Sequence, residues 1–414
     1  MKTNLKGLNI KYAFCNIGYL FLIVGTMGYA YNYLSQCGFS DGVVGTVMAI
    51  TNLLGAIGGP VVGDIIDHSR VITQKTFIQV SSIIIIAASA LLLFVPKTPA
   101  LIFPICIISF ALASIVMPLL NGMAFIYDKI GGKINYGFCR GLGSGAYAVG
   151  SAVLGRMWAG LGNTALPVWV AFSAIITLVS VTTMPGVSKD VVKNDKQEQK
   201  DSEEAISLLG FFGKYHFVTL AAVAVTCLYV GHYIINNYMA KIVEMLAVSN
   251  VETVQGNAMF IAAMCELPAM FAFAFLLKKF GINRIMVLAS CFFAIKNSIT
   301  FFCTSVGMLY VASVFQMPGY ALLIPGVVYF ANQYVAEADR NKGQALFTSV
   351  MTVGSLVASF VGGWLFSLTS TRFVLGIGAV ASVIGVLLIF VAIRGVAGEK
   401  KNMVTDNMAD SVSA

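Results

Sequence analysis

Ser188-Lys-Asp-Val-Val-Lys-Asn-Asp-Lys-Gln-Glu-Gln-Lys-Asp-Ser-Glu-Glu204 lies near the middle of this 414-residue chain and is unlike everything around it. A segment so charged and so poor in apolar side chains has nothing to bury, so Pro185–Tyr215 reads as a solvated linker. On either side the pattern inverts. Apolar stretches occupy 12–34, 42–63, 76–95, 101–123, 137–160 and 165–184 before the linker. Six more follow it, at 216–239, 256–278, 284–304, 308–331, 344–367 and 373–393. Each is close to the ~20 apolar residues that cross ~30 Å of hydrocarbon. The expected fold is an all-α membrane protein with twelve transmembrane helices. Its expected units are a six-helix bundle at 1–184, the linker at 185–215, a second six-helix bundle at 216–395 and a tail at 396–414.

Composition excludes most alternatives. Hydrophobic residues make up 58% of the chain and charged residues 11%, against roughly 25% charged in a soluble domain. A net charge of +8 raises the question of nucleic acid, but the basic residues sit in loops between apolar spans and form no stripe or patch. Cys15, Cys37, Cys106, Cys139, Cys227, Cys265, Cys291 and Cys303 lie mostly within apolar stretches and at no metal-binding spacing. They read as free thiols acting as small hydrophobes, so no metal or cofactor is expected. Lys2, Lys6 and Lys11 precede a first apolar run that is long enough to span and lacks a small-residue cleavage site, so no cleavable signal is expected.

Lysine and arginine orient the spans. With the N-terminus in the cytoplasm, 21 of the 26 basic residues fall on the cytoplasmic side and only Lys97, Arg156, Lys241 and Arg372 on the other. Lys296 remains, inside a span. Both termini are therefore expected in the cytoplasm, in the inner membrane. A weak internal repeat accompanies the layout. Arg140 opens span five and Arg340 precedes span eleven, six spans later. Both spans are rich in small residues, Gly141-Leu-Gly-Ser-Gly-Ala-Tyr-Ala-Val-Gly-Ser151 and Val353-Gly-Ser-Leu-Val-Ala-Ser-Phe-Val-Gly-Gly363. Such residues let helices approach closely, either to slide during rocking of two halves or simply to pack tightly.

The two-by-six layout resembles the major facilitator superfamily. Gly63-Asp-Ile-Ile-Asp67-His-Ser-Arg70 resembles that family's Gly-x-x-x-Asp-Arg-x-Gly-Arg loop after span two, which implies a gating role for Gly63, Asp67 and, in the second half, Arg340. A closer resemblance is to the oligosaccharide:proton symporters, the lactose-permease group, and to phenylpropionate permeases. It is carried by Pro118-Leu-Leu-Asn121-Gly-Met-Ala with Tyr136-Gly-Phe-Cys-Arg140-Gly-Leu-Gly-Ser-Gly-Ala-Tyr147, by Met264-Cys-Glu266-Leu, and by Asp339-Arg-Asn-Lys-Gly-Gln344-Ala-Leu. The resemblance implies that Arg140 grips substrate hydroxyls, that Tyr147 stacks on a ring, that Asn121 faces the cavity, and that Glu266 and Lys296 hold substrate and charge. It implies a proton as co-substrate. This chain departs from the group in span ten, where Gln316 and Gly319 stand at the places of a histidine and a glutamate.

The residues themselves point the same way. Ionisable groups within a bilayer are costly unless paired or hydrated. Glu266 and Lys296 sit near the middles of spans eight and nine, so a pairing, direct or through water, is the economical expectation. A planar guanidinium at Arg140 suits two oxygens at once, though an arginine at a helix start can also snorkel to headgroups. Tyr229, His232 and Asn236 share one face of span seven, where His232 is either a proton site or a packed histidine. Gln316 and Tyr320 form an i, i+4 pair in span ten, and Tyr29 and Asn32 are cavity candidates in span one. Thr348, Thr352, Ser355 and Ser359 make a hydroxyl stripe that reads as helix–helix adhesion.

These features suggest a secondary transporter for a sugar, glycoside or nucleoside-like solute, working as a monomer by alternating access and coupled to a proton. The alternative cargo is a small organic anion such as an aromatic acid, moved without a proton, because Arg140 and Lys296 against Glu266 leave the cavity near +1. An enzyme is not expected, since the histidines are His68, His216 and His232 and no His-Glu-x-x-His spacing appears, and an ATP-driven pump is not expected, since no Gly-x-x-x-x-Gly-Lys-Ser/Thr loop is present.

Overall fold

The computed structural model describes residues 7–69, 71–187 and 207–413. Lys2, Lys6, Arg70 and the charged centre of the linker fall outside the described residues. Among the described residues every element is a helix. In order they are α1 (Leu8–Ile23), a π-helical turn (Val24–Gly28), α2 (Ala30–Gln36), α3 (Asp41–His68), α4 (Gln74–Phe94), α5 (Pro99–Lys129), α6 (Tyr136–Leu161) and α7 (Ala165–Thr183). The second half has α8 (Leu208–Lys214), α9 (His216–Asn237), α10 (Met239–Glu244), α11 (Val251–Phe280), α12 (Ile282–Phe301), α13 (Val306–Val314), α14 (Tyr320–Tyr334), α15 (Arg340–Leu368) and α16 (Thr371–Ser413).

Among the described residues, ten helical stretches are long and apolar enough to cross a membrane. One of these, Tyr136–Thr183, contains two helices, α6 and α7. The broken pair α13–α14 supplies a further crossing that is too short in either piece. Large apolar side chains project outward along these helices, with Phe271 82% and Leu387 60% exposed, as expected where lipid is the solvent. Hydroxyls within the spans donate to the carbonyl one turn back, as Ser82 does to Ile78 and Thr177 to Ser173. That satisfies these hydroxyls inside their own helices.

The helices differ from the sequence expectation in informative places. Span one is not continuous. Gly25 and Gly28 loosen it into a π turn, where the Tyr29 N–H donates to Val24 at 3.1 Å. Span ten breaks over 315–319, because Pro318 has no N–H to donate and restricts the residue before it. Gln316 and Tyr320 therefore do not share one helix face. The expected loop at Gly63–Arg70 is helical as far as His68, whose ring lies 3.2 Å from Asp64 one turn back. The last helix runs on through the expected tail to Ser413. Between α11 and α12 a single residue turns the chain, and Gly281 adopts φ 73° there at no steric cost.

Each half has its own buried cluster. Tyr12, Ile78, Val116, Cys139 and Val181 pack in the first, and Leu228, Phe273, Met286, Phe330 and Phe347 in the second. A third cluster joins the halves at the end remote from the linker, bringing Tyr31, Val47 and Trp158 together with Ile234, Tyr238 and Phe366. Glycines make that contact close. A Cβ on Gly45 of α3 would lie 2.2 Å from the Ser359 carbonyl of α15, and one on Gly256 of α11 would lie 2.4 Å from the Ser151 carbonyl of α6. On the same helices nearer the linker, Cβ atoms on Gly63, Gly137, Gly141 and Gly145 would meet nothing within 4 Å. The halves thus touch at the remote end and part toward the linker.

Polar bonds reinforce the closed end. Asp41 accepts from Tyr31 at 2.6 Å and pairs with Lys241 of the other half at 2.8 Å. Asn32 donates to Gln255 at 2.8 Å, and Gln255 donates to the Gly28 carbonyl of the π turn at 2.8 Å. Gln36 donates to Glu252 at 2.6 Å, and Arg156 to Asn257 at 3.1 Å.

At the linker end, α8 is tied to the short 3-10 helix Glu337–Asp339 that precedes α15. Lys214 and Tyr215 each bond one oxygen of Asp339 at 3.0 Å. Burial opposes ionisation of this carboxyl, but the bonds from Lys214 and Tyr215 outweigh it and hold Asp339 below its ordinary range. A carboxyl lowered in the folded state stabilises above its unfolded value and loses that contribution as pH falls through the folded one. Protection of the Leu208–Lys214 amides against hydrogen exchange, taken relative to their intrinsic rates at each pH, is expected to be high at neutral pH, to fall severalfold on acidification, and to be low at every pH in Asp339→Ala. Unchanged exchange in that variant would show that apolar packing alone docks α8.

Candidate solute-binding site

Between the halves lies a cavity of about 470 Å³. The first half contributes Tyr19, Thr26, Met27, Asn52, Ser114, Arg140, Ser144 and Tyr147. The second contributes Tyr233, Asn236, Asn237, Met259, Glu266, Lys296, Gln316, Tyr320 and Ser355. Two irregular pieces of backbone reach this cavity. The π turn of span one supplies Thr26, Met27 and Gly28, and the break of span ten supplies Gln316. Irregular backbone at membrane depth is tolerated where it lines such a cavity.

Glu266 and Lys296 face the same cavity but are not in direct contact. Gln316 stands between them: its amide nitrogen donates to Glu266 Oε1 at 2.9 Å, while its carbonyl oxygen accepts from Lys296 Nζ. The expected pairing is therefore bridged by a glutamine amide, which the break at 315–319 frees from a regular helix face. Lys296 also approaches Nδ1 of His232 at 3.3 Å, and Nε2 of that ring meets the Asn236 amide at 2.9 Å. His232 is 1% exposed and stacks on Tyr320, with ring centroids 4.6 Å apart.

On the opposite wall Arg140 reaches the cavity rather than a headgroup surface, and its Nη1 is buried with no hydrogen-bond partner. The hydroxyl of Tyr19, on α1, is likewise buried and unpartnered. Two donors without acceptors on one wall are what an oxygen-bearing ligand would satisfy.

Other expected site residues are placed elsewhere. Asn121 is not among the lining residues. Phe110, Ser114 and Met117 line the cavity from α5, and Asn121 falls one turn beyond, toward the end where the halves part. Tyr29 is fully buried in the closed end, its hydroxyl 2.9 Å from the Ser151 carbonyl and 3.1 Å from that of Glu252 in the other half. It joins the halves instead of facing a solute. Asn32 does the same through Gln255. Gly63 and Asp67 lie in the last turns of α3, with Asp67 at a smaller cavity of about 320 Å³ that also touches Gln74, Lys75 and Tyr127. Arg340 opens α15 with its Nε buried and unpartnered. Ser355 and Ser359 bind the halves together, accepting from Asn52 at 2.9 and 3.3 Å.

Asn52, Asn237 and Tyr19 were not singled out from sequence. An amide within an apolar span is a signal of the same kind as an intramembrane charge, and Asn52 and Asn237 carry it. Nothing distinguishes Tyr19 from the many other aromatic residues of the chain until the fold buries its hydroxyl beside a cavity.

The comparisons with known proteins agree with this fold. A family model described as MFS_1 like family matches residues 13–376. The maltose permease of Geobacillus stearothermophilus is 23% identical over 400 residues, spanning 92% of this chain and 95% of that one. The nucleoside transporter NupG has a fold similar to this one at a TM-score of 0.77 and 15% identity, over 93% of this chain and 99% of the other. The D-xylose-proton symporter gives 0.67 and 13%, over 92% and 96%.

Proposed function

Since the chain belongs to the MFS_1 like family of major facilitators, we propose that it is a secondary transporter that carries a small polyhydroxylated solute, a sugar, glycoside or nucleoside, by alternating access and with a proton. The observation that carries this reading is the central cavity, closed at one end by contact of the halves and walled by Arg140, Asn236, Glu266 and Gln316. A cavity between two repeats, occluded at one end at a time, is the physical requirement of alternating access. The maltose, nucleoside and xylose carriers among its relatives favour a neutral solute rich in hydroxyls. The proposed setting is the inner membrane with both termini and the linker in the cytoplasm, so the described state opens inward and a single chain holds the pathway. Asp67 and Arg340, at the linker end, then belong to the surface that must close in the opposite state.

Uptake by purified protein in liposomes tests the reading, with sugars, nucleosides and aromatic acids presented with and without an inward proton gradient. Uphill accumulation of a sugar or nucleoside only with the gradient supports it. Gradient-independent exchange of an acid would favour the second reading, a small organic anion, for which the unpartnered Arg140 Nη1 and Tyr19 hydroxyl are the specific observation. Arg140→Lys is expected to weaken solute affinity by at least ~10-fold, because an ammonium cannot reproduce the planar two-point donor. Unchanged affinity would remove Arg140 from the binding site.

A further inference from the structure

Beside the cavity, Lys296, His232 and Asn236 form a hydrogen-bonded series whose direction is constrained. Lys296 Nζ lies 3.3 Å from Nδ1 of His232, and Nε2 lies 2.9 Å from the Asn236 amide. Lys296 and Asn236 both line the cavity, whereas His232, 1% exposed, lies behind them and joins the two. A lysine ammonium donates and cannot accept, and a neutral imidazole has one donor and one acceptor nitrogen.

With Lys296 charged, Nδ1 must accept. The ring proton is then on Nε2, Asn236 turns its carbonyl oxygen to the ring, and its NH2 faces the cavity. With Lys296 neutral, the reverse series is equally complete. Nδ1–H donates to the amine, Nε2 accepts from the Asn236 NH2, and the carbonyl oxygen faces the cavity. The two ends of an amide have nearly the same shape, so both orientations fit the same space. A mixture of the two would oppose two donors or two acceptors in a dry site, where an unmet polar group is costly.

We propose that His232 is a positioning residue that converts the protonation state of Lys296 into the hydrogen-bonding polarity of Asn236. Asn236 then donates to a solute oxygen when Lys296 is charged and accepts a solute hydroxyl when it is neutral. The solute half of this statement rests on the transport reading above. In the switch an N–H bond of Lys296 breaks as one forms at Nδ1, the Nε2–H bond breaks as the Asn236 side chain turns over, and that opening lets the proton pass to water in the cavity with one unit of positive charge.

The groups around the trio leave the series intact. Gln316 accepts from Lys296 in both states and links it to Glu266. Tyr320, Tyr233, Tyr229 and Phe293 enclose the imidazole, with ring centroids between 4.6 and 6.2 Å away. Arg140 is the further charge lining the cavity, on the wall of the first half. The device makes solute recognition follow the protonation state of Lys296, with no acid needed at the break of span ten.

The chain has 3 histidines, so full-length protein with isotope-labelled histidine in lipid nanodiscs gives three imidazole signals, assigned with His68→Gln and His216→Gln. Nitrogen NMR of the wild type is expected to show His232 passing from the Nε2–H to the Nδ1–H tautomer as pH rises. Lys296→Arg, which stays charged throughout, should hold the Nε2–H form at every pH. A single tautomer across the wild-type titration, an imidazolium at neutral pH, or switching that survives in Lys296→Arg would overturn the proposal. The wild-type titration decides even if the variant does not fold. In parallel, the affinity for maltose, xylose or uridine, whichever is transported, should change with pH in the wild type and not in Lys296→Arg. If none of the three is transported, the solute reading fails while the tautomer titration still judges the switch.

Discussion

Glu266→Gln is expected to abolish uphill accumulation in proteoliposomes, reducing the ratio of internal to external solute to unity, while exchange of solute across the membrane survives. The amide is nearly the same shape as the carboxylate, and its oxygen can still accept from Gln316 Nε2, which bonds Glu266 at 2.9 Å. The cavity therefore keeps its form and its solute contacts. What the variant loses is a group that can take up and release a proton. A carboxylate moved through the low-dielectric middle of a bilayer must be paired or neutralised. Among its neighbours the bridge to Lys296 runs only through a neutral amide, so protonation is the direct route to neutrality. If the variant accumulates solute as the wild type does, coupling resides elsewhere, and the Lys296–His232–Asn236 series becomes the next place to measure.

Gly45→Leu is expected to hold the carrier open at the end remote from the linker. A Cβ alone would lie 2.2 Å from the Ser359 carbonyl, 2.5 Å from the Tyr238 hydroxyl and 2.8 Å from the Gly363 Cα. Two of these three neighbours are backbone and cannot rotate aside. Overpacking of such a contact costs roughly 1–3 kcal/mol, and each ~1.4 kcal/mol is a tenfold change in an equilibrium. The closed population should fall by about 5- to 150-fold on that scale. The separation of the halves relieves the clash, so the protein keeps its fold and loses only this state. Reactivity of a cysteine at Thr51 with a thiol reagent added from outside should rise, and net transport should fall by a similar factor. Normal transport with unchanged reactivity would mean that this crossing is not part of the cycle.

The contact at Gly45 also shows where sequence reading stops. The spans were legible because bilayer thickness imposes a length and an apolar character on each segment, and the linker stood out as the reverse of both. Small residues in spans five and eleven were legible as close packing. Their partners were not, since Gly155 meets Glu252 of α11 and Gly363 meets Asp41 of α3, and nothing in a one-dimensional pattern assigns helix faces across two halves. Tyr29 and Asn32 illustrate the same limit. Polar groups within a span signal a purpose, and the fold decided that theirs is to join the halves.

For this protein, sequence alone determined an all-helical chain that crosses a membrane many times, the positions of its spans, and the few charges within them that need an explanation. Desolvation is a local cost, so a charge in an apolar stretch announces itself wherever the chain later places it. The tertiary structure decided that Gln316 separates Glu266 from Lys296, that His232 joins Lys296 to Asn236, and that Asn121 stays out of the cavity. Those outcomes depend on a helix break, a π turn and the register of helices distant in sequence. Hydrogen bonds act over about 3 Å, and only the packed fold sets distances that small.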